Sequence, residues 1–546
     1  MRIDRVYIDG FRNLRDIEAD FDEGRLTTVV IGQNGSGKSN LIEAIVEIFR
    51  HVDLPTGSVR FTFEIEYVIR GRKVRIHNRE GVTSFFVDDE TMSFSRFNLN
   101  KGSLFPDLVF GYYSGTGRRL EKLFDDHQAR YYGVINKDRD DTEYEKARTA
   151  RRLFYCRPVH GVFALLSHFA KPGKKGDVSK LLNEKLGITG FHSALAHFKE
   201  PSWFTNSVWK KGRSAPPASR GRRTFDELGE QALDVWGAKG PAGECARAFH
   251  KAAFHPLAIT GKVVDDYRSK AKTEAQLACF IRDQNALKAL AAAYDNDQDL
   301  FAALEAADIS DLFREMLVWV TRNDNDSGDV SFSDLSDGER QLLMVLGLIR
   351  VSRGKEALFL LDEPDTHLNP AWQLTYLDLI KEWTEIAADE DKCQIIMTSH
   401  NPLTIAALVK QEVRVMQIND DDKMKVKQPY ADPRGMGFTA TLTEIFGLPT
   451  TLDPETQRQI DERNILAQIE KRTKDQEKQL IEINDKLNRL GFMNESREPL
   501  YQDFLRAWHD VRYADRPPLT PEDVEKRHNA MQLLIKQLTD NKGAAH

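Results

Sequence analysis

The sequence of 546 residues predicts an α/β protein with a large helical insert and a helical C-terminal extension. Three observations lead to that class. Leu26 to Ile31 read as a buried, β-branched strand that runs into a glycine-rich loop and then a helical pattern. Two later apolar runs, Ala357 to Leu361 and Ile395 to Met397, read as buried strands ending in two acids and in a polar turn. Between the first strand and the second lies a stretch of short helical patterns rich in aromatic residues, longer than a crossover requires.

The loop after the first strand is Gly32-Gln33-Asn34-Gly35-Ser36-Gly37-Lys38-Ser39, and a helical run follows from Asn40. Strand, loop and helix in this order form the Walker A phosphate-binding pattern. Glycine lets the backbone wrap an anion so that several N–H groups face it, and the helix N-terminus adds partial positive charge. Asn34, Gly35, Ser36, Gly37 and Asn40 are therefore expected around the phosphates of ATP. Lys38 is expected at the β- and γ-phosphates, and Ser39 on Mg²⁺. In Leu361-Asp362-Glu363-Pro364, Asp362 is the second expected Mg²⁺ ligand and Glu363 the general base for the attacking water.

A further loop, Leu335-Ser336-Asp337-Gly338-Glu339, precedes the Asp362 strand. In this order the motifs resemble those of the ABC, SMC and RecF-type ATPases. The resemblance implies a homodimer joined through the ATPase heads, in which Ser336, Gly338 and Glu339 close over the ATP of the second subunit. Asp365, in Asp365-Thr366-His367-Leu368-Asn369-Pro370, would then belong to the loop that crosses between subunits. His400 would be the switch histidine at the γ-phosphate, where neutral imidazole both donates and accepts. Arg12, in Asp9-Gly10-Phe11-Arg12-Asn13, would contact phosphate or ribose. One motif of the group is missing. Val109 to Arg119 lies where a glutamine-bearing loop belongs but carries no glutamine, although Arg118 or Arg119 could meet phosphate there. Slow hydrolysis is the expectation.

Charged residues make up 29% of the chain, the net charge is −7, and the mean hydropathy is −0.49. No apolar run reaches the ~20 residues that span a bilayer, and the start of the chain has no apolar signal segment. A transporter with its own membrane domain is excluded. Cys156, Cys245, Cys279 and Cys393 lie far apart with no C-x-x-C pair, which fits reduced thiols in a cytoplasm and excludes a cysteine-rich zinc module.

Residues 1–125 are expected to form the first ATPase lobe, with antiparallel strands at Val59–Ile69, Lys73–His77 and Thr83–Val87. Residues 126–315 are expected to be a globular helical insert, with helices at Arg151–Ala170, Asp177–Leu186, Phe225–Trp236, Thr273–Asp295 and Gln298–Ala307. Residues 316–450 complete the ATPase, beginning with a strand at Leu317–Thr321. Residues 451–546 form a partner-docking helical region. There, 454–490 reads as one helix with a seam through Leu466, Ile469, Leu480, Ile483 and Leu487, weakened in the middle by Thr473 and Gln476. The basic, acid-free stretch 210–223 reads equally as a nucleic-acid contact or a solvated linker.

The globular insert, with Arg434-Gly435-Met436-Gly437, Phe446-Gly447-Leu448-Pro449 and the long helical seam, resembles the ATPase subunits of bacterial anti-phage systems of the Septu type (PtuA-like), including retron-associated ones. That resemblance implies a regulatory ATPase controlling a separate HNH nuclease subunit (PtuB-like). In retron-linked cases a reverse transcriptase with its RNA–DNA product is a further implied partner. No nuclease site is recognised in the chain itself. Two other readings stand beside this one: a RecF/SMC-like DNA-repair ATPase that binds DNA directly, and a stand-alone ATP-regulated nuclease.

Overall fold

Strands buried along their whole length build the centre of the larger part of the molecule. Thr27–Gly32, Ala357–Asp362 and Cys393–Thr398 have every residue buried, as their largely apolar sequences favour. The computed structural model describes residues 1–490 except 23, 55–58, 136, 173–176, 205–224, 265–267, 269, 324, 388–391, 419–423 and 470; beyond 490 it describes 526, 529, 530, 532 and 533. The chain divides into two units, Met1–Thr404 with Gln411–Lys427, and Ile405–Lys410 with Gln428–His546.

In the first unit a seven-stranded sheet runs in the order Met424–Lys427, Val413–Ile418, Thr27–Gly32, Cys393–Thr398, Ala357–Asp362, Leu108–Tyr113, Leu153–Tyr155. All neighbours are parallel except the first pair. Register sets the site: Asp362 lies opposite Thr398 on one side and Tyr113 on the other. Polar strand ends therefore line up beside the loop that leaves Gly32.

A second, antiparallel sheet of six strands contains Arg2–Asp9, Ile17–Asp20, Thr62–Ile69, Arg72–Arg79, Val82–Val87 and Glu90–Met92. Its hairpin at Arg70-Gly71 has both turn residues at positive φ, the conformation that matches the twist of the flanking strands. The expected strands of the first lobe all fall here.

The insert differs from expectation. Its helices surround a five-stranded antiparallel sheet ordered Leu257–Val263, Lys272–Ile281, Ile188–Lys199, Phe313–Arg322, Asn325–Ser331. Thr273–Asp295, expected as one helix, is a strand to Ile281 followed by a helix at Gln284–Ala291. The alanines favour helix, but Ala275, Leu277, Cys279 and Ile281 are buried with period two, and cross-strand packing decides. The Leu317–Thr321 strand belongs to this sheet, so the insert's core extends past residue 315.

The helix Asp337–Val351 packs on the insert helix Val159–Ala170 through small residues. A Cβ on Gly347 would lie 2.2 Å from the Cβ of Ala164, and one on Gly161 would lie 2.8 Å from Phe332.

In the second unit the expected single helix 454–490 is broken in two, Pro454–Gln468 and Lys474–Arg489, which pack through Leu466, Ile483 and Leu487. Arg472 donates to the carbonyls of Leu466, Ala467 and Ile469, satisfying the end of the first helix. Thr473 and Gln476 then exchange bonds in a capping box that starts the second. The stretch 210–223 and nearly all of the expected tail helices after 494 lie outside the described residues. Among the described residues no helix is long and apolar enough to cross a membrane.

Candidate active site

The glycine loop closes because its backbone enters the left-handed region at Gly35 (φ +82°) and Gly37 (φ +89°). At Gly32 a Cβ would lie 2.3 Å from the Met416 carbonyl oxygen and 2.7 Å from Ser36 Oγ, so no other residue fits. Lys38 folds into this loop, Nζ donating to the carbonyls of Gly32 (2.8 Å) and Gln33 (3.2 Å). Burial holds its pKa below the ordinary lysine value, against the pull of Glu363 and Asp362. The buried Ser36 hydroxyl has no hydrogen-bond partner, as expected of a donor waiting for an anion. Asn34 and Gly35 are exposed at the loop tip. Asn13 braces that tip by donating to the Gly35 carbonyl (3.1 Å).

Ser39 and Asp362 meet as expected, Ser39 Oγ donating to Asp362 Oδ1 at 3.1 Å. The same carboxylate oxygen accepts from Thr398 Oγ1 at 2.5 Å, and Thr398 Oγ1 accepts from the Glu363 N–H at 3.0 Å. One threonine hydroxyl therefore fixes both acids. Glu363 needs that bond, because its φ of 54° is unfavourable for a residue with a side chain. Burial pushes the Asp362 pKa up, while the bonds from Thr398 and Ser39 pull it down. Two hard oxygens converging from a helix start and a strand end fit Mg²⁺ by their donor chemistry.

Glu363 and His400 also meet: Nδ1 of the imidazole lies 3.2 Å from Glu363 Oε1, and both side chains are partly exposed. A carboxylate and an imidazole in contact at the open edge can between them hold and deprotonate a water.

Arg12 sits beside the loop with its backbone in the left-handed region (φ 53°). Its guanidinium is ion-paired with the buried Glu43 and donates to Asn40 Oδ1 (3.2 Å). Arg119 reaches the same two residues, at 2.9 Å from Glu43 and 2.7 Å from Asn40 Oδ1. Arg118 instead pairs with Glu121 and Asp125, away from the loop. Thus the region that lacks a glutamine delivers one arginine to the phosphate-loop helix.

Two expected nucleotide contacts prove to have other partners within the chain. Asp365 is 1% exposed, and its Oδ2 accepts from Ser399 Oγ (2.6 Å) and from Thr404 Oγ1. Burial raises its pKa. It ties its own loop to the turn that carries His400. Glu339 Oε2 accepts from the N–H (2.8 Å) and hydroxyl (3.0 Å) of Ser336, capping the helix start. Ser336 itself is exposed. A Cβ on Gly338 would lie 2.7 Å from the His367 carbonyl oxygen, so glycine allows the Ser336 loop to press on the Asp365 loop.

Thr398, Glu43, Ser399 and Thr404 were not among the expected site residues. The signal for Thr398 was a hydroxyl closing the apolar run Ile395 to Met397.

A phosphate loop, a buried acid followed by a partly exposed one on a parallel strand, and a histidine on the next strand define the class: a P-loop ATPase, its motifs in the order that resembles the ABC, SMC and RecF type. Residues 1–142 match the family model described as AAA ATPase domain, and residues 261–406 match that described as AAA domain, putative AbiEii toxin, Type IV TA system. With the motif order, these matches and the two that follow mark the chain as an AAA/ABC-type ATPase similar to the Septu group. It is 27% identical over 164 residues to the Septu protein PtuA of Bacillus mycoides (strain KBAB4), covering 29% of this chain and 22% of that one. It is 29% identical over 161 residues to the Septu protein PtuA of Bacillus thuringiensis, covering 25% of this chain and 39% of that one. The matched stretches thus span less than half the length of either relative.

Among solved structures, an Smc head domain with an extended coiled coil, bound to the C-terminal domain of ScpA derived from Pyrococcus furiosus, is 16% identical with a TM-score of 0.31, covering 78% of this chain and 96% of that one. The recombination mediator protein RecF with ATP is 13% identical with a TM-score of 0.23, covering 73% of this chain and 92% of that one. The class rests on the strand order and loops above, not on these overlaps.

Proposed function

We propose that this chain binds ATP with Mg²⁺, hydrolyses it slowly, and serves as the regulatory subunit of an anti-phage complex. It dimerises around ATP and controls a separate HNH nuclease. The observation that carries the ATPase reading is the Glu363–His400 contact at 3.2 Å beside the Ser39–Asp362 pair at 3.1 Å. Lys38 exchanges the loop carbonyls for the phosphates. Glu363 takes a proton from the attacking water, and His400 holds that water in line. Mg²⁺, held by Ser39 and Asp362, would neutralise charge on the phosphates. Ser36 donates to the same anion. The dimer is supported by the exposed Ser336 and Asp337 at the start of the helix Asp337–Val351, whose N-terminal end carries partial positive charge suited to the nucleotide of a second copy. The defence role and the nuclease partner come from the likeness to Septu PtuA.

The test is Glu363→Gln with ATP and Mg²⁺, read by light scattering, followed by co-purification with the product of an adjacent nuclease gene. Loss of a general base slows hydrolysis by about 10²–10⁴ and traps the closed dimer. A variant that hydrolyses normally as a monomer and retains no nuclease sinks the proposal.

A further inference from the structure

We infer that the insert holds a second ligand site, separate from the phosphate loop, for a phosphate-bearing small molecule of mononucleotide size. The site is a cleft of about 330 Å³ between the helices Asp125–Ile135 and Asp141–Ala150. That is within the size range of small-molecule pockets. Arg130, Arg139 and Lys146 line it as exposed side chains, and the buried Arg151 lies between it and a neighbouring cavity of about 120 Å³. Glu143 is the one acid lining it, and Arg139 pairs with that acid at 3.0 Å. The cleft is therefore cationic in a chain whose net charge is −7.

Arg151 is the decisive residue. Its side chain is 5% exposed. One nitrogen, Nη1, is held by the buried Glu305 at 2.5 Å. The guanidinium also packs against Tyr131 and Phe154, at 5.2 and 4.8 Å from the ring centroids. Among the described residues its Nε and Nη2, both buried, have no hydrogen-bond partner. A buried guanidinium N–H without an acceptor is costly, and a carboxylate that satisfies one nitrogen leaves the other two exposed to that cost. The rings cannot accept in plane. An anion entering the cleft can, with the fork geometry that suits phosphate.

The rest of the cleft describes the remainder of the ligand. Val134, Ala147 and Ala150 give it an apolar wall, so a bare ion would leave most of the volume unfilled. A flat apolar body with an anionic head, such as a nucleoside monophosphate, matches both parts. His127, also lining the cleft, is bonded to Asp53 (2.9 Å), the last residue of the phosphate-loop helix Lys38–Asp53. The far end of that helix thus contacts the second site.

The experiment is calorimetric titration of the full chain carrying Lys38→Ala, which removes phosphate-loop binding, with 5′-AMP, inorganic phosphate and adenosine as probes. The expected result is saturable one-to-one binding of 5′-AMP, weaker binding of phosphate and none of adenosine. Adding Arg130→Gln with Arg139→Gln, both exposed and safe for folding, should weaken 5′-AMP by about tenfold or more. The same pair placed in the chain with Lys38 intact should leave ATP affinity within about twofold. No heat with 5′-AMP at millimolar concentration overturns the site, as does binding that ignores the arginine substitutions. Adenosine binding as tightly as 5′-AMP overturns the anionic head, and phosphate doing so overturns the mononucleotide size.

Discussion

Replacing Thr398 by Val keeps the shape of the side chain and removes the hydroxyl that fixes both acids. Two bonds go: the one to Asp362 Oδ1 at 2.5 Å and the one from the Glu363 N–H at 3.0 Å. A hydrogen bond to a charged group contributes about 1.5–3 kcal/mol, and one to a neutral backbone group about 0.5–1.5 kcal/mol. The combined loss is about 2–4.5 kcal/mol. Expressed in the barrier at ~1.4 kcal/mol per tenfold, that is on the order of 30- to 1,000-fold in kcat/KM for ATP. Glu363, held at φ 54°, loses the bond that keeps it there, so its contact with His400 should loosen as well. The assay is steady-state phosphate release over a Mg²⁺ titration. Thr398→Ser, which retains the hydroxyl, is the control and should stay near the parent. A Val variant within about threefold of the parent, with unchanged Mg²⁺ dependence, would refute the claim that this hydroxyl positions the pair.

Three further outcomes follow from particular contacts. Gly347→Ala should destabilise the protein by about 1–3 kcal/mol, because the new methyl would lie 2.2 Å from Ala164, and Ala164→Gly in the same chain should recover part of the loss in thermal melts. Asp362→Asn should raise the melting temperature of the nucleotide-free protein near neutral pH. Burial raises the folded pKa of Asp362 above its unfolded value. The folded state therefore binds the proton more tightly and loses stability as pH rises between those two values, so the advantage of Asn should vanish below the ordinary carboxylate range. Leu487→Ala, at a site 1% exposed in a small three-residue cluster, should speed hydrogen exchange across the helices Pro454–Gln468 and Lys474–Arg489 while leaving the phosphate-loop helix protected.

The phosphate loop and the two strands that face it were legible because their chemistry dictates their residues. A phosphate needs glycines at left-handed turns, and buried parallel strands favour largely apolar sequences. What those strands do with their ends was less legible. Thr398 looks like any strand-end hydroxyl until the register sets it opposite Asp362. Asp365 was not legible as a buried residue, because a carboxylate in a crossing loop suggests an exposed contact, whereas Ser399 and Thr404 draw it inside. The strand Lys272–Ile281 hid behind alanines, whose helix preference is weaker than the packing of one buried face. The break before Lys474 was written in the sequence as Thr473-x-x-Gln476, a helix-start signature taken for a flaw in a seam.

The small-residue crossing of Gly347 on Ala164 means that the Ser336 loop does not hang from a free helix. The helix Asp337–Val351 is about 22 Å long at 1.5 Å per residue, and at Gly347 it meets the methyl of Ala164 in Val159–Ala170 with no side chain of its own between them. It works as a spoke: a tilt at the rim, where Ser336 would meet a second nucleotide, would be passed to the insert helix Val159–Ala170, which packs on the strand Phe313–Arg322. A shift of the Ser336 loop would then reach the insert through the close contact of the Gly347 backbone with the Ala164 methyl.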